Sequence, residues 1–161
     1  MIRVQREPFD IGRELAALTA GNCQIGGVAS FVGLVRDMAS ARAGNMPSGN
    51  ARIGALTLEH YPGMTEAKLA EIEAEARQRW PLEASLIIHR YGRMELGEGI
   101  VLVATASRHR EAAFASCQFL MDWLKTKAPF WKLEETEEGA AWVAARDSDE
   151  AAAARWHPPT K

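Results

Sequence analysis

The chain has 161 residues, 47% of them hydrophobic and 25% charged, which is ordinary for one globular domain with a real core. Its formal net charge of −2 disfavours nucleic-acid or membrane binding, so any basic site must be local. No apolar run approaches the roughly 20 residues of a membrane span. The N-terminus lacks the apolar segment of a signal peptide, so we expect a cytoplasmic protein. Cys23 and Cys117 form no CxxC pair and are expected to be ordinary buried thiols, without a metal or a disulfide.

Hydrophobic periodicity and helix-stop residues predict a mixture of strands and helices along the chain. The expected strands are 2–9, 26–35, 53–60, 85–91, 100–106 and 130–133, with a turn region at 92–99 and an acidic stretch at 134–138. The expected helices are 11–19 behind an Asp10 cap, one that Thr65 caps and Pro81 ends, 108–126, and a weak one from 147 to 156. This mixture indicates an α+β fold with one mixed or antiparallel sheet and helices packed against it.

Apolar stripes predict the buried faces of the two longer helices. On the second helix the stripe is Leu69, Ile72, Ala76 and Trp80, and on the third it is Phe114, Cys117, Met121 and Leu124. We interpret 1–146 as a single domain that contains a flexible loop at 37–52, rich in Gly, Pro and Asn. Residues 147–161 are interpreted as a C-terminal tail, partly disordered.

Three potential cations stand together at the start of the third helix, in Ser107-Arg108-His109-Arg110. A helix N-terminus has unsatisfied N–H groups and a partial positive charge, so cations there are mildly unfavourable. A bound anion would explain them, because the amides, the dipole and the guanidinium groups would converge on it. The alternative is a solvated, charged helix start that Glu111 partly neutralises.

Lysines alternate with aromatic residues in Leu124-Lys125-Thr126-Lys127-Ala128-Pro129-Phe130-Trp131-Lys132. Lys125 and Lys127 have a structural explanation, because cations stabilise a helix C-terminus. Lys132 is expected on a strand face with Phe130, while Trp131 and Leu133 pack on the other face. Aromatic walls that remove water from an amine lower its pKa, which suits acid–base catalysis. Single-stranded nucleic acid is an alternative ligand, but the acidic stretch downstream and the negative net charge argue against it.

Arg36 follows an apolar strand and opens the 37–52 loop. Arginines in such places often hold ligands, although a surface arginine is the commoner case. His60, His89 and His157 are scattered without metal-ligand spacing, so we interpret them as packing or surface histidines. Nucleotide-binding glycine motifs and a Ser/His/Asp signature do not occur in the sequence. We expect neither a cofactor nor a metal.

Several blocks of the chain share their order with a known family: Phe31-Val32-Gly33-Leu34-Val35-Arg36, Leu56-Thr57-Leu58-Glu59-His60-Tyr61-Pro62-Gly63-Met64, Ile88-His89-Arg90-Tyr91-Gly92, Ser107-Arg108-His109-Arg110, Ala113-Phe114, Leu124 to Glu134, Gly139 and Trp142. Together they resemble the large, catalytic subunits of molybdopterin synthase, the MoaE family. The resemblance covers about residues 2–156. The 38–52 loop is longer and richer in Gly, Pro and Asn than the family pattern, and the tail beyond Trp156 is an extension.

The resemblance implies an α/β hammerhead fold and a homodimer. Two copies of a small ubiquitin-like sulfur carrier would dock on it, giving a heterotetramer. The C-terminal Gly-Gly of the carrier, as a thiocarboxylate, would enter the active site and donate sulfur. The implied substrate is cyclic pyranopterin monophosphate, or precursor Z, which receives two sulfurs to form the molybdopterin dithiolene. The implied activity is therefore a sulfurtransferase of molybdenum cofactor biosynthesis.

By the same resemblance, the catalytic residues are Lys125 and Lys132, and the residues that hold the phosphate and pterin of the substrate are Arg36, His109, Arg110 and Arg146. On one helix, Arg110 and Lys125 are 15 positions apart, which is ~22 Å along the axis. One small substrate does not easily reach both ends. We therefore predict that His109 and Arg110 of one subunit complete the pocket that contains Lys125 and Lys132 of the other.

Two other functions fit the same residues. A non-catalytic module would use the basic cluster to bind a phosphometabolite, and alanine variants of Lys125 and Lys132 would then lower affinity alone. A scaffold for a partner protein would use the acidic stretch and the tail for docking, and its basic pocket would be incidental.

Overall fold

The computed structural model describes residues 1–36, 53–136, 139–143 and 147–156. The elements within these ranges, in chain order, are β1 (Ile2–Gln5), α1 (Ile11–Thr19), β2 (Gly27–Leu34), β3 (Ile53–His60), α2 (Met64–Arg79), β4 (Leu82–Arg90), β5 (Gly92–Glu95), β6 (Gly99–Ser107), α3 (Arg110–Lys127), β7 (Phe130–Thr136), β8 (Gly139–Val143) and α4 (Asp147–Ala154). None of the helices in these ranges is long and apolar enough to cross a membrane.

The strands form two four-stranded sheets, called here sheet A (β1-β4-β6-β2) and sheet B (β5-β3-β7-β8). In sheet A, β1 is parallel to β4 and the other pairs are antiparallel. The pairs of sheet B are all antiparallel. The α+β class with mixed and antiparallel pairing is confirmed, but the expectation of a single sheet is wrong.

The division between the sheets arises at Gly92. Only Tyr91 separates β4 from β5, and Gly92 has a φ of 86°, a conformation that residues with a side chain rarely adopt. The chain therefore turns out of sheet A, and β5 pairs with β3 in sheet B. The segment 92–99, expected to be only a turn region, contains this four-residue strand.

The C-terminal part holds more regular structure than expected. β7 runs to Thr136 instead of ending at 133, and β8, which was not expected, pairs with it. Residues 134–136 of the acidic stretch therefore lie in a strand between β3 and β8. The helix expected in the tail is confirmed as α4. The predictions for the 37–52 loop, for 137–138 and for 157–161 fall outside the described residues.

The first two helices differ in how they begin. Asp10 caps α1 as expected, because its side chain accepts a hydrogen bond of 2.9 Å from the Arg13 N–H. For α2 the expected Thr65 cap is wrong, since Gly63 with a φ of 81° precedes the helix and Thr65 lies inside it. Buried Thr65 donates its hydroxyl hydrogen to the Pro129 carbonyl at 3.3 Å. It thereby links the start of α2 to the corner between α3 and β7.

Helices cover both faces of sheet A. The expected stripe of α2 is confirmed, because Leu69, Ile72 and Ala76 are at most 1% exposed. With α3 this stripe packs on one face of the sheet, while α1 covers the opposite face. On α3 the expected burial of Cys117, Met121 and Leu124 is confirmed, but Phe114 is 66% exposed and its expected burial is wrong.

Phe114 is exposed because β2 is the outermost strand of sheet A on its side in the described part of the chain. That edge of α3 therefore has no further strand beneath it. The aromatic residues of α3 that are buried are Phe119 and Trp123. Phe119 contacts the rings of Trp80 and Trp156 with centroids 5.3 Å and 5.6 Å away. The aromatic side of α3 therefore faces α2 and residues 147–156, called here the C-terminal segment.

The two cysteines lie in different surroundings. Cys117 is buried in the core, and this burial raises the pKa of its thiol to about 11. Cys23 is exposed, because it lies in the connection between α1 and β2. The expectation of a buried thiol is therefore confirmed for Cys117 and wrong for Cys23.

Candidate active site

The start of α3 presents three basic side chains to solvent, those of Arg108, His109 and Arg110. The backbone beneath them is braced. The hydroxyl of buried Ser107 donates to the Pro81 carbonyl at 2.9 Å. A Cβ built on Gly26 would lie 2.2 Å from the Arg108 carbonyl oxygen, so only glycine permits this approach. The His109 side chain makes no capping bond. The basic side chains therefore point to solvent from a backbone whose position is fixed, as an anion site requires.

The other end of α3 carries Lys125, which is exposed in the last turn. It borders a groove of about 420 Å³ between α3 and β2, which is lined by Ala29, Ser30, Phe31, Phe114, Cys117, Gln118, Met121, Asp122 and Lys125. Lys127 points elsewhere, with its ammonium 3.2 Å from the centroid of the Trp123 ring. Burial lowers the pKa of Lys127. Its cation–π packing supports the structural explanation for Lys127, whereas Lys125 faces a space that can hold a ligand.

Lys132 lies on β7 opposite Leu58 of β3, and alternation puts it on the face of Phe130, as expected. The Phe130 ring stacks on His89, with centroids 3.7 Å apart. Burial is the main cause that lowers the pKa of His89 to about 4, and the nearby charge of Lys132 lowers it further. Trp131, expected to pack on the other face, is 48% exposed, so that expectation is wrong.

Of the three histidines interpreted as packing or surface residues, the structure describes His60 and His89, and both have packing roles, which confirms the interpretation for these two. His89 is buried, and its Nδ1 lies 2.9 Å from the Arg90 carbonyl oxygen. The His60 ring lies 4.3 Å from that of Tyr91 and 6.4 Å from that of Phe130. The rings of His60, His89 and Tyr91 therefore form an aromatic cluster with Phe130, on the strand that carries Lys132. The prediction for His157 lies outside the described residues.

Strand register shows which predicted site residues share an end of sheet A. Gly33 of β2 pairs with Val101 of β6, and Val101 pairs with His89 of β4. Arg36 follows the end of β2 at which Gly33 lies, and Phe130, two residues before Lys132 on β7, stacks on His89 at the same end. Arg36 and Lys132 are therefore at the same end.

The two ends of α3 fall at opposite ends of the sheet. Gly27 of β2 pairs with Ser107 of β6, directly before α3 begins. α3 runs back along the sheet in the direction of β2, which carries Lys125 toward the end with Arg36 and leaves Arg110 at the other. α3 is one continuous helix from Arg110 to Lys127, so Arg110 and Lys125 are ~22 Å apart along it. Arg146 lies outside the described residues.

An exposed apolar surface that the sequence did not indicate adjoins the Lys125 groove. It consists of Phe31 on β2 and Phe114 on α3, which line the groove and are 43% and 66% exposed, and it is extended along the same edge strand by Leu34 and by Val28 on the opposite face, which are 53% and 39% exposed. We call this the β2-edge surface. In the described residues, β2 pairs only with β6 and has no strand on its outer side. A charge-free edge strand of this kind is a template for pairing with another chain. The sequence predicted the strand at 26–35 but gave no sign that its outer edge is unpaired within the described ranges.

The chain is similar to proteins of one family along nearly its whole length. The family described as "MoaE protein" matches residues 4–127. The molybdopterin synthase catalytic subunit of Pseudomonas aeruginosa is 56% identical over 155 residues, which cover 96% of this chain and 97% of that protein. The solved MoaE protein from Burkholderia ambifaria is 51% identical with a TM-score of 0.77, covering 97% of each chain. Molybdopterin synthase from Staphylococcus aureus is 28% identical with a TM-score of 0.76, covering 88% of this chain and 96% of that one. The chain therefore belongs to the MoaE family.

Proposed function

We propose that this chain is the catalytic subunit of a molybdopterin synthase and acts as a sulfurtransferase. A small ubiquitin-like carrier presents a C-terminal Gly-Gly thiocarboxylate, and its sulfur passes to precursor Z. Two such transfers make the dithiolene of molybdopterin. The observation that carries the proposal is that Arg36, Lys125 and Lys132 share one end of sheet A in a chain of this family.

The chemistry explains why these residue types suit the site. The thiocarboxylate sulfur bonds to a carbon of precursor Z as a C–O bond at that carbon breaks, which joins carrier and substrate through a thioester. When water attacks the acyl carbon of this thioester, a tetrahedral oxyanion forms, the acyl C–S bond breaks, the sulfur stays on the substrate and the carrier is left as a carboxylate. An ammonium group near that carbon stabilises the developing negative charge. Opening the cyclic phosphate and losing water require proton transfers, for which a second lysine serves as general acid or base. Lys125 and Lys132 share these roles, and Arg36 binds the phosphate.

We further propose that the working pocket forms between two copies of the chain. His109 and Arg110 lie at the opposite end of sheet A from Lys125, so a single copy does not gather them. Antiparallel pairing of two β2 strands about a twofold axis would set the Arg36 end of one copy beside the Gly27 end of the other. His109 and Arg110 of one chain would then face Lys125 and Lys132 of the other.

The β2-edge surface supports this pairing. Its exposed Phe31 and Phe114 would be covered by the same strand of the second copy, and the unpaired backbone groups of β2 would gain partners. The carrier would then bind to each pocket, giving the heterotetramer. The role of Arg146 and the cytoplasmic location stay predictions from the sequence.

The test is synthase activity of the purified chain with precursor Z and thiocarboxylated carrier. We expect Lys125→Ala and Lys132→Ala each to lower kcat by about a hundredfold or more while precursor Z still binds. Lys127→Gln is the matched control, because Lys127 packs on Trp123 outside the groove. Full turnover by both alanine variants, or loss of binding alone, would contradict the catalytic assignment.

A further inference from the structure

We propose that the C-terminal segment positions Lys125 by holding the carboxylate of Asp122. This inference rests on the proposed function in that it takes Lys125 to be catalytic. Asp122 precedes Lys125 by three residues on α3, a spacing that makes their side chains neighbours on the helix surface. Both residues border the groove between α3 and β2. Whatever fixes Asp122 therefore shapes the surroundings of Lys125.

Two side chains from the C-terminal segment fix Asp122. The indole N–H of Trp156 donates to Asp122 Oδ2 at 2.7 Å. Nη2 of Arg155 lies 3.3 Å from the same oxygen, and the Asp122 side chain is only 14% exposed. Both contacts are therefore to the same carboxylate oxygen, one from a neutral donor and one from a cation. Hydrogen bonds of this charge-assisted type set direction as well as energy.

Trp156 is itself held on several sides. Its ring meets Trp80 and Phe119 edge-on, with centroids 5.7 Å and 5.6 Å away and interplanar angles of 87° and 88°. The guanidinium of Arg79 donates to the Trp156 carbonyl at 2.7 Å. Ala153, one turn earlier, is 6% exposed and lies in the main core. The donor that reaches Asp122 is therefore anchored to α2 and α3, as a positioning residue must be.

The contact acts on the turn of α3 that carries Lys125. The Thr126 hydroxyl donates to the Asp122 carbonyl at 3.0 Å, so side-chain and backbone restraints meet in this turn. The helix ends two residues after Lys125, and helix ends fray unless they are tied down. Loss of the Trp156 bond would loosen the turn and let the Asp122 carboxylate reorient within the groove. The ammonium of Lys125 would then meet a different charge distribution.

The experiment is a double-mutant cycle with Trp156→Phe and Asp122→Ala, using the full chain with carrier and precursor Z. Alanine removes the acceptor, and phenylalanine removes the indole donor while keeping a smaller aromatic ring beside Trp80 and Phe119. We expect Trp156→Phe to lower kcat by about tenfold with KM nearly unchanged, and the double variant to be no worse than Asp122→Ala. Glu150→Gln, on the exposed side of α4, is the matched control and should retain full activity.

A second readout does not depend on turnover. Amide hydrogen exchange should become faster in residues 122–127 of α3 in the Trp156→Phe protein and stay unchanged in the Glu150→Gln protein. Wild-type protein without synthase activity would overturn the proposed function. The exchange result would still show whether the contact between Trp156 and Asp122 restrains the end of α3. Unchanged kcat, fully additive effects in the cycle, or unchanged exchange in 122–127 would each overturn the positioning role.

Discussion

At the scale of single residues, His89 defines the surroundings of Lys132. The buried ring stacks on Phe130, which shares a strand face with Lys132. Burial and the charge of Lys132 lower the pKa of His89 to about 4, so at neutral pH the ring adds no second positive charge beside the lysine. The same neutrality couples His89 to folding, because an unfolded histidine takes up a proton near pH 6.5.

This coupling predicts a pH-dependent contribution of His89 to stability. Because the folded pKa lies below the unfolded value, the contribution is complete above about pH 6.5 and is lost as the pH falls toward about 4. The loss over that window should amount to about 3 kcal/mol. Urea unfolding of wild-type and His89→Gln proteins at pH 7.5 and pH 4.5 measures it. The free energy of unfolding should fall less in the variant, and an equal fall in both proteins would contradict the account.

The types of the site residues were readable from the sequence, but their grouping was not. Arg108, His109 and Arg110 stood out because cations at a helix start need an explanation, and they are exposed there. That Arg36 and Lys132 share an end of sheet A depends on strand register, which local sequence does not specify. Asp122 was missed because an acidic residue on a helix has no local signal for a partner 34 positions away.

At the scale of elements, hydrophobic periodicity predicted strands and helices correctly where one face of the element packs against the core. β3 has its predicted bounds, Ile53–His60, because buried Leu56 and Leu58 alternate with Thr57 and Glu59, which are more exposed. β5 and β8 were missed because strands of four and five residues contain too few alternations to be read. The burial of Phe114 was misjudged because helical spacing shows a face, not the extent of the sheet beneath it.

The exposed position of Phe114 makes a prediction about β2. If two β2 edges pair, Phe114→Asp should place a charge in the interface and shift the protein to monomers. Light scattering after size-exclusion chromatography measures the mass of wild-type and variant proteins. Ile11→Asp is the control, since Ile11 is an exposed apolar residue at the start of α1. A dimeric Phe114→Asp protein with full synthase activity would rule out this interface.

At the scale of the whole molecule, the candidate site residues of one chain lie too far apart to contact one small substrate. The chain carries a net charge of −2, and its candidate substrate-binding cations lie at both ends of a helix that is ~22 Å long between Arg110 and Lys125. A monophosphate cannot join groups so far apart within one copy. Pairing of two chains across β2 would bring opposite ends together and make two equivalent pockets. Dimerisation would then be a condition of catalysis.

Complementation between two inactive variants tests this claim most directly. Co-expressed Lys125→Ala and Arg110→Ala chains with different affinity tags are purified as the mixed dimer and assayed with precursor Z and thiocarboxylated carrier. In the mixed dimer one pocket has both alterations and the other has neither, so about half of the wild-type activity should return. Each homodimer should remain inactive. A mixed dimer as inactive as its parents would show that Lys125 and Arg110 do not act across the two chains.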